Sequence, residues 1–257
     1  MSIHPTAIVS SNAKIGSNNS IAPYSIIEDD VEIGNDCEIG PNAVLYNGAR
    51  IGNKVIIKQN ASVANVPQDL KFSNEKSLMI IGDHTVVRES VTLHRGTVET
   101  GLTKVGKNCL LMAYCHIPHD CIVGDSCIIA NSVQIAGHCI IEDYVILGGL
   151  TGVHQFSAVG EHSMVGGASY VNKDIPPYVL VSGNPIRFAG LNVVGLRRRG
   201  FKTEDIDIIK KTYTLLYDKG MNISQAMKTI DSEIGENEFV KKILNFISRS
   251  KRGIVVK

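Results

Sequence analysis

The chain is patterned by an aliphatic residue at every sixth position. Counting in steps of six from Ile3 to Val171 gives 29 positions, and Ile, Val or Leu occupies 26 of them. The ladder breaks only at two interruptions, near residues 64–80 and 98–104. The exceptions are all acidic: Asp69, Glu75 and Glu99. A fixed short period indicates a repeat architecture, and long loops that leave a rigid scaffold often carry function.

The repeat predicts short strands joined by tight corners, with the aliphatic residue of each hexapeptide pointing inward. Glycine often follows this residue, as in Ile15-Gly16 and Ile33-Gly34. Three hexapeptides would make one triangular coil, and successive coils would stack about 4.8 Å apart. This pattern resembles the left-handed parallel β-helix of hexapeptide-repeat transferases. The hand follows from that resemblance alone, because crossover connections usually favour the right hand.

All six cysteines lie four residues after a ladder position. They are Cys37, Cys109, Cys115, Cys121, Cys127 and Cys139. Their regular spacing could be mistaken for a metal cluster. A small hydrophobe in a tight interior slot explains the pattern better, since free Cys is among the most buried residue types. We therefore expect six buried thiols.

The ladder ends where two consecutive prolines, Pro176 and Pro177, break the pattern. The predicted fold is mostly β, with a solenoid over residues 1–189 and a small helical domain over residues 190–257. Such a domain would cover the open end of the solenoid, where strand edges would otherwise be unpaired.

The tail beyond the ladder has apolar residues at helical spacing in three segments. The first begins at Thr203 as N-cap and closes at Gly220. The second is capped by Ser224, and the third runs from Phe239 to Ile247. These segments predict three helices.

Charge is unevenly spread along the chain. Residues from 190 onward hold 14 Lys/Arg and 8 Asp/Glu, whereas residues 1–189 hold 12 and 17. A basic tail suits an acidic partner, although a solvated helix face gives the same composition. We identify no secretory leader and no apolar run of about 18 residues that could span a membrane. We therefore expect a cytoplasmic protein with no membrane insertion and no nucleic-acid partner.

Histidines and an aspartate concentrate on one part of the ladder. A coil of three hexapeptides places His84, Asp120 and His138 in one column. His119 lies one residue before this column, and His154 lies two residues before it. Four imidazoles and a carboxylate on an aliphatic scaffold predict a site rather than isolated structural histidines.

Three kinds of chemistry could use this column. Imidazole is a general base suited to near-neutral pH when a carboxylate orients it. Three histidines and a water could instead bind zinc, as in the hexapeptide-repeat carbonic anhydrases. The third alternative is a scaffold that binds a partner without catalysis.

Six motifs occur in order over essentially the whole chain. They are Leu93-His94-Arg95-Gly96-Thr97, Gly101-Leu102-Thr103-Lys104-Val105-Gly106, His116-Ile117-Pro118-His119-Asp120-Cys121, Val153-His154-Gln155-Phe156, Asp174-Ile175-Pro176-Pro177-Tyr178 and Gly195-Leu196-Arg197-Arg198-Arg199-Gly200-Phe201. Together they resemble the UDP-N-acetylglucosamine acyltransferases of lipid A biosynthesis. The resemblance implies transfer of an (R)-3-hydroxyacyl chain from acyl carrier protein to the sugar 3-hydroxyl. It implies no cofactor beyond the carrier-protein thioester and no metal.

The same resemblance assigns roles to individual residues. It makes His119 the general base, Asp120 the carboxylate that orients it, and the Gly137 N–H the donor that steadies the thioester oxyanion. It places Gly167 along the acyl-chain groove, where a missing side chain favours chains of about 12 to 16 carbons over ten, since overpacking a tight site is unfavourable. The resemblance also implies substrate contacts from Gln68, Asp69, Lys71, His116, His138, His154, Gln155, Asn192, Arg198 and Arg199.

The residues themselves are consistent with direct transfer. No Gly-x-Ser-x-Gly elbow occurs and every cysteine points inward, so a covalent acyl-enzyme is not expected. Two departures from the family pattern are Val194, where many members carry Glu, and Pro185, where some carry His. Relatives that acylate a 3-amino sugar leave an amide product open. The family is trimeric, with sites shared between neighbouring solenoids, and flat prism faces suit symmetric packing.

Overall fold

The computed structural model describes residues 1–217 and 220–257. Most of it is a three-sided parallel β-helix, whose coils visit three sheets, A, B and C, in turn. Sheet A contains Ser2–Ile3, Ser20–Ile21, Glu38–Ile39, Ile56–Ile57, Val86–Val87, Leu110–Leu111, Ile128–Ile129, Ile146–Leu147, Met164–Val165, Val179–Ser182 and Arg187–Leu191. Sheet B contains Ile8–Val9, Ile26–Ile27, Val44–Leu45, Ser62–Asn65, Thr92–His94, His116–Ile117, Gln134–Ile135, Gly152–Val153 and Tyr170–Val171. Sheet C contains Lys14–Ile15, Glu32–Ile33, Ala49–Ile51, Leu78–Ile81, Leu102–Val105, Ile122–Val123, Ile140–Ile141 and Ala158–Val159.

Aliphatic ladder residues fill the interior of this prism. From Ile21 to Val171 each of them is at most 5% exposed, whereas Ile3 in the open first coil is 40% exposed. All six cysteines are buried and free, as predicted. The Cys109 and Cys127 sulfurs each lie 3.1 Å from a carbonyl oxygen of the next coil, which satisfies a weak donor in the interior.

The three edges of the prism, which we call the AB, BC and CA corners, hold the connections between strands. Both predicted interruptions are loops at the BC corner. Loop 1, residues 66–77, and loop 2, residues 95–101, each connect a strand of sheet B to a strand of sheet C. Because both loops leave from one corner, any site they help to form lies along that corner.

The loops change the length of a coil without changing the phase of the ladder. Ile56 pairs with Val86, 30 positions later, and Val86 pairs with Leu110, 24 positions later. The prediction that His84 shares a column with Asp120 is therefore wrong. The His84 N–H donates to the Asn53 carbonyl at the CA corner, away from the BC corner that carries Asp120.

The solenoid continues beyond the prolines that end the sequence ladder. Ile175 forms a parallel bridge with Val159. Val179–Ser182 then extends sheet A in parallel, and Arg187–Leu191 closes the sheet as an antiparallel strand. The predicted division at residue 189 falls inside this last strand.

Four helices follow: α1 (Val193–Arg198), α2 (Thr203–Leu216), α3 (Ile223–Ile234) and α4 (Glu238–Arg249). The first of these was not predicted. The predicted caps at Thr203 and Ser224 are each displaced, because Lys202 and Asn222 hold the N-cap positions.

A capping box fixes the start of α3. The Asn222 side chain accepts from the Gln225 N–H at 2.9 Å, and the Gln225 side chain accepts from the Asn222 N–H at 3.0 Å. This reciprocal pair satisfies two backbone donors at once, which a cap at Ser224 would not do. Helix α2 ends at Leu216, four residues before the predicted Gly220.

The helical domain packs on the end of the solenoid. The buried Tyr213 hydroxyl of α2 donates to the Pro177 carbonyl at 2.6 Å. Among the residues that the structure describes, none of the helices has the length and apolar character to span a membrane. The architecture confirms the predicted fold class, a parallel β-helix followed by a small α-helical domain.

Candidate active site

His119 and Asp120 form a hydrogen-bonded pair at the BC corner. The Nδ1 atom of His119 lies 2.8 Å from Oδ2 of Asp120. The side chain of Asp120 has no solvent exposure, while that of His119 is 13% exposed. A carboxylate that accepts from Nδ1 fixes the imidazole tautomer and leaves Nε2 as the free basic nitrogen. The pair predicted from the sequence is therefore brought together.

Loop 2 provides the other partners of Asp120. The Thr97 N–H donates to Oδ1 at 3.0 Å and the Thr97 hydroxyl donates to Oδ2 at 2.8 Å. The Thr100 hydroxyl also donates to Oδ1. Burial alone would raise the pKa of Asp120, but the hydrogen bonds from Thr100, His119 and Thr97 outweigh it and lower the pKa to about 2. Asp120 is thus a carboxylate throughout the physiological range.

His138 lies one coil beyond the His119–Asp120 pair and belongs to the same predicted group. Its ring meets that of His119 edge to face, with centroids 5.1 Å apart, and stacks on Phe156 at 4.6 Å. Its Nε2 lies 3.9 Å from Oδ2 of Asp120 and 3.8 Å from Oε2 of Glu99. Sequence reasoning did not assign Phe156 or Glu99 to the site, although Phe156 lies inside a quoted motif and Glu99 is one of the acidic exceptions to the ladder.

Gly137 lies directly against the base. A Cβ built on this residue would fall 2.7 Å from Cε1 and 2.9 Å from Nε2 of His119. Within the described chain its N–H donates no hydrogen bond. A free backbone donor therefore sits beside the basic nitrogen, the arrangement that an oxyanion contact requires.

A second imidazole pair lies on sheet B. His116 Nδ1 is 2.7 Å from the Thr92 hydroxyl, and its ring meets His94 edge to face at 4.9 Å. Burial lowers the pKa of His116. Burial, reinforced by the charges of His116 and His119, lowers the pKa of His94 to about 4. Both rings are neutral at pH 7, and sequence reasoning missed His94 although it lies inside a quoted motif.

One donor set could in principle hold a metal. Single donor atoms of His119, Asp120 and His138 all lie within 4.8 Å of one another. Both carboxylate oxygens of Asp120, however, already accept hydrogen bonds from Thr97, and Oδ2 also accepts from His119. A metal bound here would have to displace those donors, so the fit is poor.

Residues predicted to contact the sugar nucleotide lie in two places. His154 and Gln155 extend the BC corner above His138, with His154 Nδ1 3.0 Å from the Gln155 carbonyl. Gln68, Asp69 and Lys71 lie in loop 1, where an oxygen of Asp69 accepts from the Lys71 N–H at 2.9 Å. No hydrogen bond or ion pair joins these three to His119 within the described residues.

Residues predicted near the phosphates lie at the CA corner instead. Asn192 donates to the His162 carbonyl at 2.8 Å and accepts from the Gly195 N–H, so its amide is used within the fold. Arg199 donates to the Tyr144 carbonyl at 2.9 Å and lies over the Tyr144 ring. Arg198 is exposed on α1.

Gly167 lies at the third edge, the AB corner, between the strands Met164–Val165 and Tyr170–Val171. It is exposed, and a Cβ there would have only the Gly149 backbone within 4 Å. The predicted site residues therefore occupy all three corners of one chain. A single chain does not bring them together. Of the two departures, Val194 is 63% exposed on α1 and Pro185 lies in the turn before the last strand.

The coiled hexapeptide fold and the His–Asp pair define a hexapeptide-repeat acyltransferase with a parallel β-helix. Residues 30–65 and 102–137 match the bacterial transferase hexapeptide model, and residues 174–255 match the model for domain 2 of UDP-N-acetylglucosamine O-acyltransferase. The chain belongs to the acyl-[acyl-carrier-protein]–UDP-N-acetylglucosamine O-acyltransferase family.

Full-length relatives support this assignment. The chain is 43% identical over 254 residues to the family member of Thiobacillus denitrificans and 45% identical over 258 residues to that of Paraburkholderia phymatum, with 98% of each chain covered in both cases. Its fold matches the solved UDP-N-acetylglucosamine acyltransferase of Bacteroides fragilis with a TM-score of 0.97 and 42% identity. That match covers 98% of this chain and 99% of the other.

Proposed function

We propose that this protein transfers an (R)-3-hydroxyacyl chain from acyl carrier protein to the 3-hydroxyl of UDP-N-acetylglucosamine, the first step of lipid A biosynthesis. The observation that carries the mechanism is the His119–Asp120 pair, whose geometry leaves Nε2 of His119 free beside the Gly137 N–H. The donor is the carrier-protein thioester, and no other cofactor is needed.

The reaction is a direct transfer. Nε2 of His119 takes the proton of the sugar hydroxyl as that oxygen attacks the thioester carbonyl. The Gly137 N–H donates to the oxyanion that forms. Collapse then breaks the C–S bond, and the His119 imidazolium returns the proton to the departing thiolate. Asp120 stays ionised and holds the imidazole in place.

The active assembly is a homotrimer. Seven aliphatic side chains form an unbroken, partly exposed stack on the outer face of sheet A: Ile56, Val86, Leu110, Ile128, Ile146, Met164 and Leu180. A contiguous apolar face of this kind favours a protein interface. Packing of neighbouring prisms would also allow the BC, CA and AB corners of different copies to meet, which one chain cannot achieve.

Charge supports the two substrate classes. Residues from 190 onward carry a balance of six positive charges, which suits an acidic carrier protein through long-range attraction. Arg198 is available for a nucleotide phosphate, for which the guanidinium fork is well matched. The proposed site of action is the cytoplasm.

The central experiment supplies the purified protein with 3-hydroxyacyl carrier-protein thioesters and with UDP-N-acetylglucosamine or its 3-amino analogue. Mass spectrometry identifies the product. An ester formed with the 3-hydroxy sugar supports the proposal. If an amide formed only with the 3-amino sugar, the reaction would be N-acyl transfer instead. If neither sugar were acylated, the proposed acyltransferase function would be wrong.

Zinc chemistry is the second candidate, favoured only by the three-residue donor set described above. It requires stoichiometric zinc in the purified protein and loss of activity on chelation. We expect neither, since the carboxylate in that set is already hydrogen-bonded. Tightly bound zinc that is lost in a His138→Ala variant would overturn the acyltransferase mechanism.

A further inference from the structure

We propose that Thr97 and Thr100 of loop 2 are positioning residues that act on the base His119 through Asp120. This inference rests on the proposed function, because it assigns the groups that hold the catalytic pair. The evidence for it is the set of hydrogen bonds that loop 2 donates to the buried carboxylate of Asp120.

Thr97 and Thr100 together hold both carboxylate oxygens of Asp120. Oδ1 accepts from the Thr97 N–H and from the Thr100 hydroxyl, and Oδ2 accepts from the Thr97 hydroxyl and faces His119. The Asp120 side chain is fully shielded from solvent, so no water competes for these oxygens. A buried carboxylate needs such donors, because an unpaired one is very costly. The two threonines thereby fix the direction in which Oδ2 points.

Asp120 projects from a corner of the coil rather than from a strand. Its φ of 60° is in the left-handed region, as are those of the corresponding corner residues His138 and Phe156 in the following coils. At the Asp120 corner, hydrogen bonds from loop 2 hold the side chain. The lowered pKa of Asp120 is consistent with donors that stabilise the charged form.

Loop 2 is itself anchored on both sides. The Gly101 N–H donates to the Thr97 carbonyl at 2.8 Å, closing the loop on itself. The Val98 N–H donates to Oε1 of Glu75 at 3.0 Å, and Glu75 belongs to loop 1. The loop that carries the predicted sugar contacts is thus connected, through two consecutive residues of loop 2, to the carboxylate that orients the base.

The test replaces each threonine by valine, which keeps the shape and removes the hydroxyl. We expect the Thr97→Val/Thr100→Val double variant to lower kcat by roughly 10- to 100-fold, a fraction of the 10²–10⁴-fold that a general base supplies. KM for both substrates should change little, and serine at both positions should restore most of the activity. Thr85→Val is the matched control. Thr85 is buried like Thr97, and its hydroxyl donates to the Gly106 carbonyl far from the site.

A double-mutant cycle separates positioning from general destabilisation. If the threonines act through Asp120, the two valine substitutions should cost much less in kcat when Asp120→Asn is already present. Equal cost in both backgrounds would overturn the proposal. A loss in Thr85→Val as large as in the double variant would do the same.

A spectroscopic readout keeps the inference independent of the substrate. In protein labelled with ¹⁵N histidine, His119 should be the Nδ1–H tautomer at neutral pH. It should become a mixture of tautomers in the Thr97→Val/Thr100→Val variant. An unchanged tautomer in that variant would remove the positioning role even if the protein proved to be an acyltransferase. A changed tautomer in a protein without acyltransferase activity would remove only the proposed function.

Discussion

Gly137 and His119 stack one coil apart, and the imidazole occupies the space that any side chain at residue 137 would need. The built Cβ is 2.7 Å from Cε1 of His119, a separation at which one of the two groups must shift. The absence of a side chain at residue 137 therefore leaves room for the His119 ring.

Gly137→Ala is expected to displace the His119 ring and lower kcat by about 100-fold, because misplacing a base by about 1 Å has effects of that size. The melting temperature should fall only modestly, since the ring can turn toward solvent. Steady-state kinetics and thermal unfolding check both expectations. In a His119→Ala background the added methyl should have no further effect on stability. An equal destabilisation there would show that the clash is with the backbone instead.

His119→Ala is expected to reduce turnover by at least about 100-fold, the usual scale for removing a general base. The fold should be intact, because the side chain contributes no core contact. His116→Ala should raise KM more than it lowers kcat, since His116 hydrogen-bonds Thr92 and not Asp120. Circular dichroism and kinetics measure these effects. Near-normal turnover of His119→Ala would assign the base elsewhere.

His162 provides a test of acid stability at the CA corner, away from the His119–Asp120 pair. It stacks on Tyr144 with centroids 4.6 Å apart, and its Nδ1 is buried without a hydrogen-bond partner among the described residues. Burial, reinforced by Arg199 and Lys242 and opposed by Glu161, lowers the pKa of His162 to about 4. The unfolded chain therefore binds a proton that the folded chain does not as pH falls from 6.5 to about 4.

Stability associated with neutral His162 is complete above pH 6.5 and is lost progressively down to about pH 4. His162→Phe keeps the aromatic stack and cannot titrate, so it should be about 1–2 kcal/mol more stable than wild type at pH 4.5, after allowance for partial solvent screening. Urea unfolding at pH 7.5 and 4.5 measures the difference. A stability difference between His162→Phe and wild type that is the same at both pH values would contradict this prediction.

The six cysteines should resist labelling in the native protein. All of them are at most 2% exposed, and burial raises the pKa of Cys115 to about 12. Thiolates, not thiols, react with disulfide reagents. Ellman's reagent should therefore modify all six only after denaturation. Rapid native labelling of Cys115 or Cys121 would mean that these side chains do not point inward.

The ladder predicted most of the fold because hydrophobic period and strand direction are local properties. The two loop insertions limited how far the stacking of residues into columns could be predicted. Each loop preserved the six-residue phase, so the period did not indicate that His84 lies at a different corner from Asp120. The neighbouring pair His119 and Asp120 was found because the two residues are adjacent in the chain. Thr97 and Thr100 were missed because their partner Asp120 lies 23 and 20 positions away, and the six-residue period does not determine the conformation of loop 2.

Gly167 is predicted to influence which acyl-chain length the enzyme accepts. It lies 48 positions beyond His119, or about 2.7 coils, which corresponds to roughly 13 Å along the axis at ~4.8 Å per coil. An extended chain advances ~1.25 Å per carbon, so this level is near the tenth carbon. Gly167→Met should block longer chains, because the added side chain would occupy the proposed groove at that depth. The variant should prefer acyl chains near ten carbons and retain activity on them, measured by competition between carrier-protein thioesters. Unchanged chain-length selectivity in this variant would mean that the acyl chain does not pass Gly167.

The structure adds a test of which chain supplies this residue. His119 lies at the BC corner and Gly167 at the AB corner, so the acyl chain either crosses sheet B of one chain or passes to a neighbouring copy. Co-expressing His119→Ala chains with Gly167→Met chains, under different affinity tags, distinguishes the two paths. If Gly167 acts within its own chain, every active His119 is paired with Met and mixed assemblies accept only short acyl chains. If a neighbour supplies it, some active sites face an unblocked Gly167, and activity on long chains returns. We expect this return, because no single chain brings the three corners together.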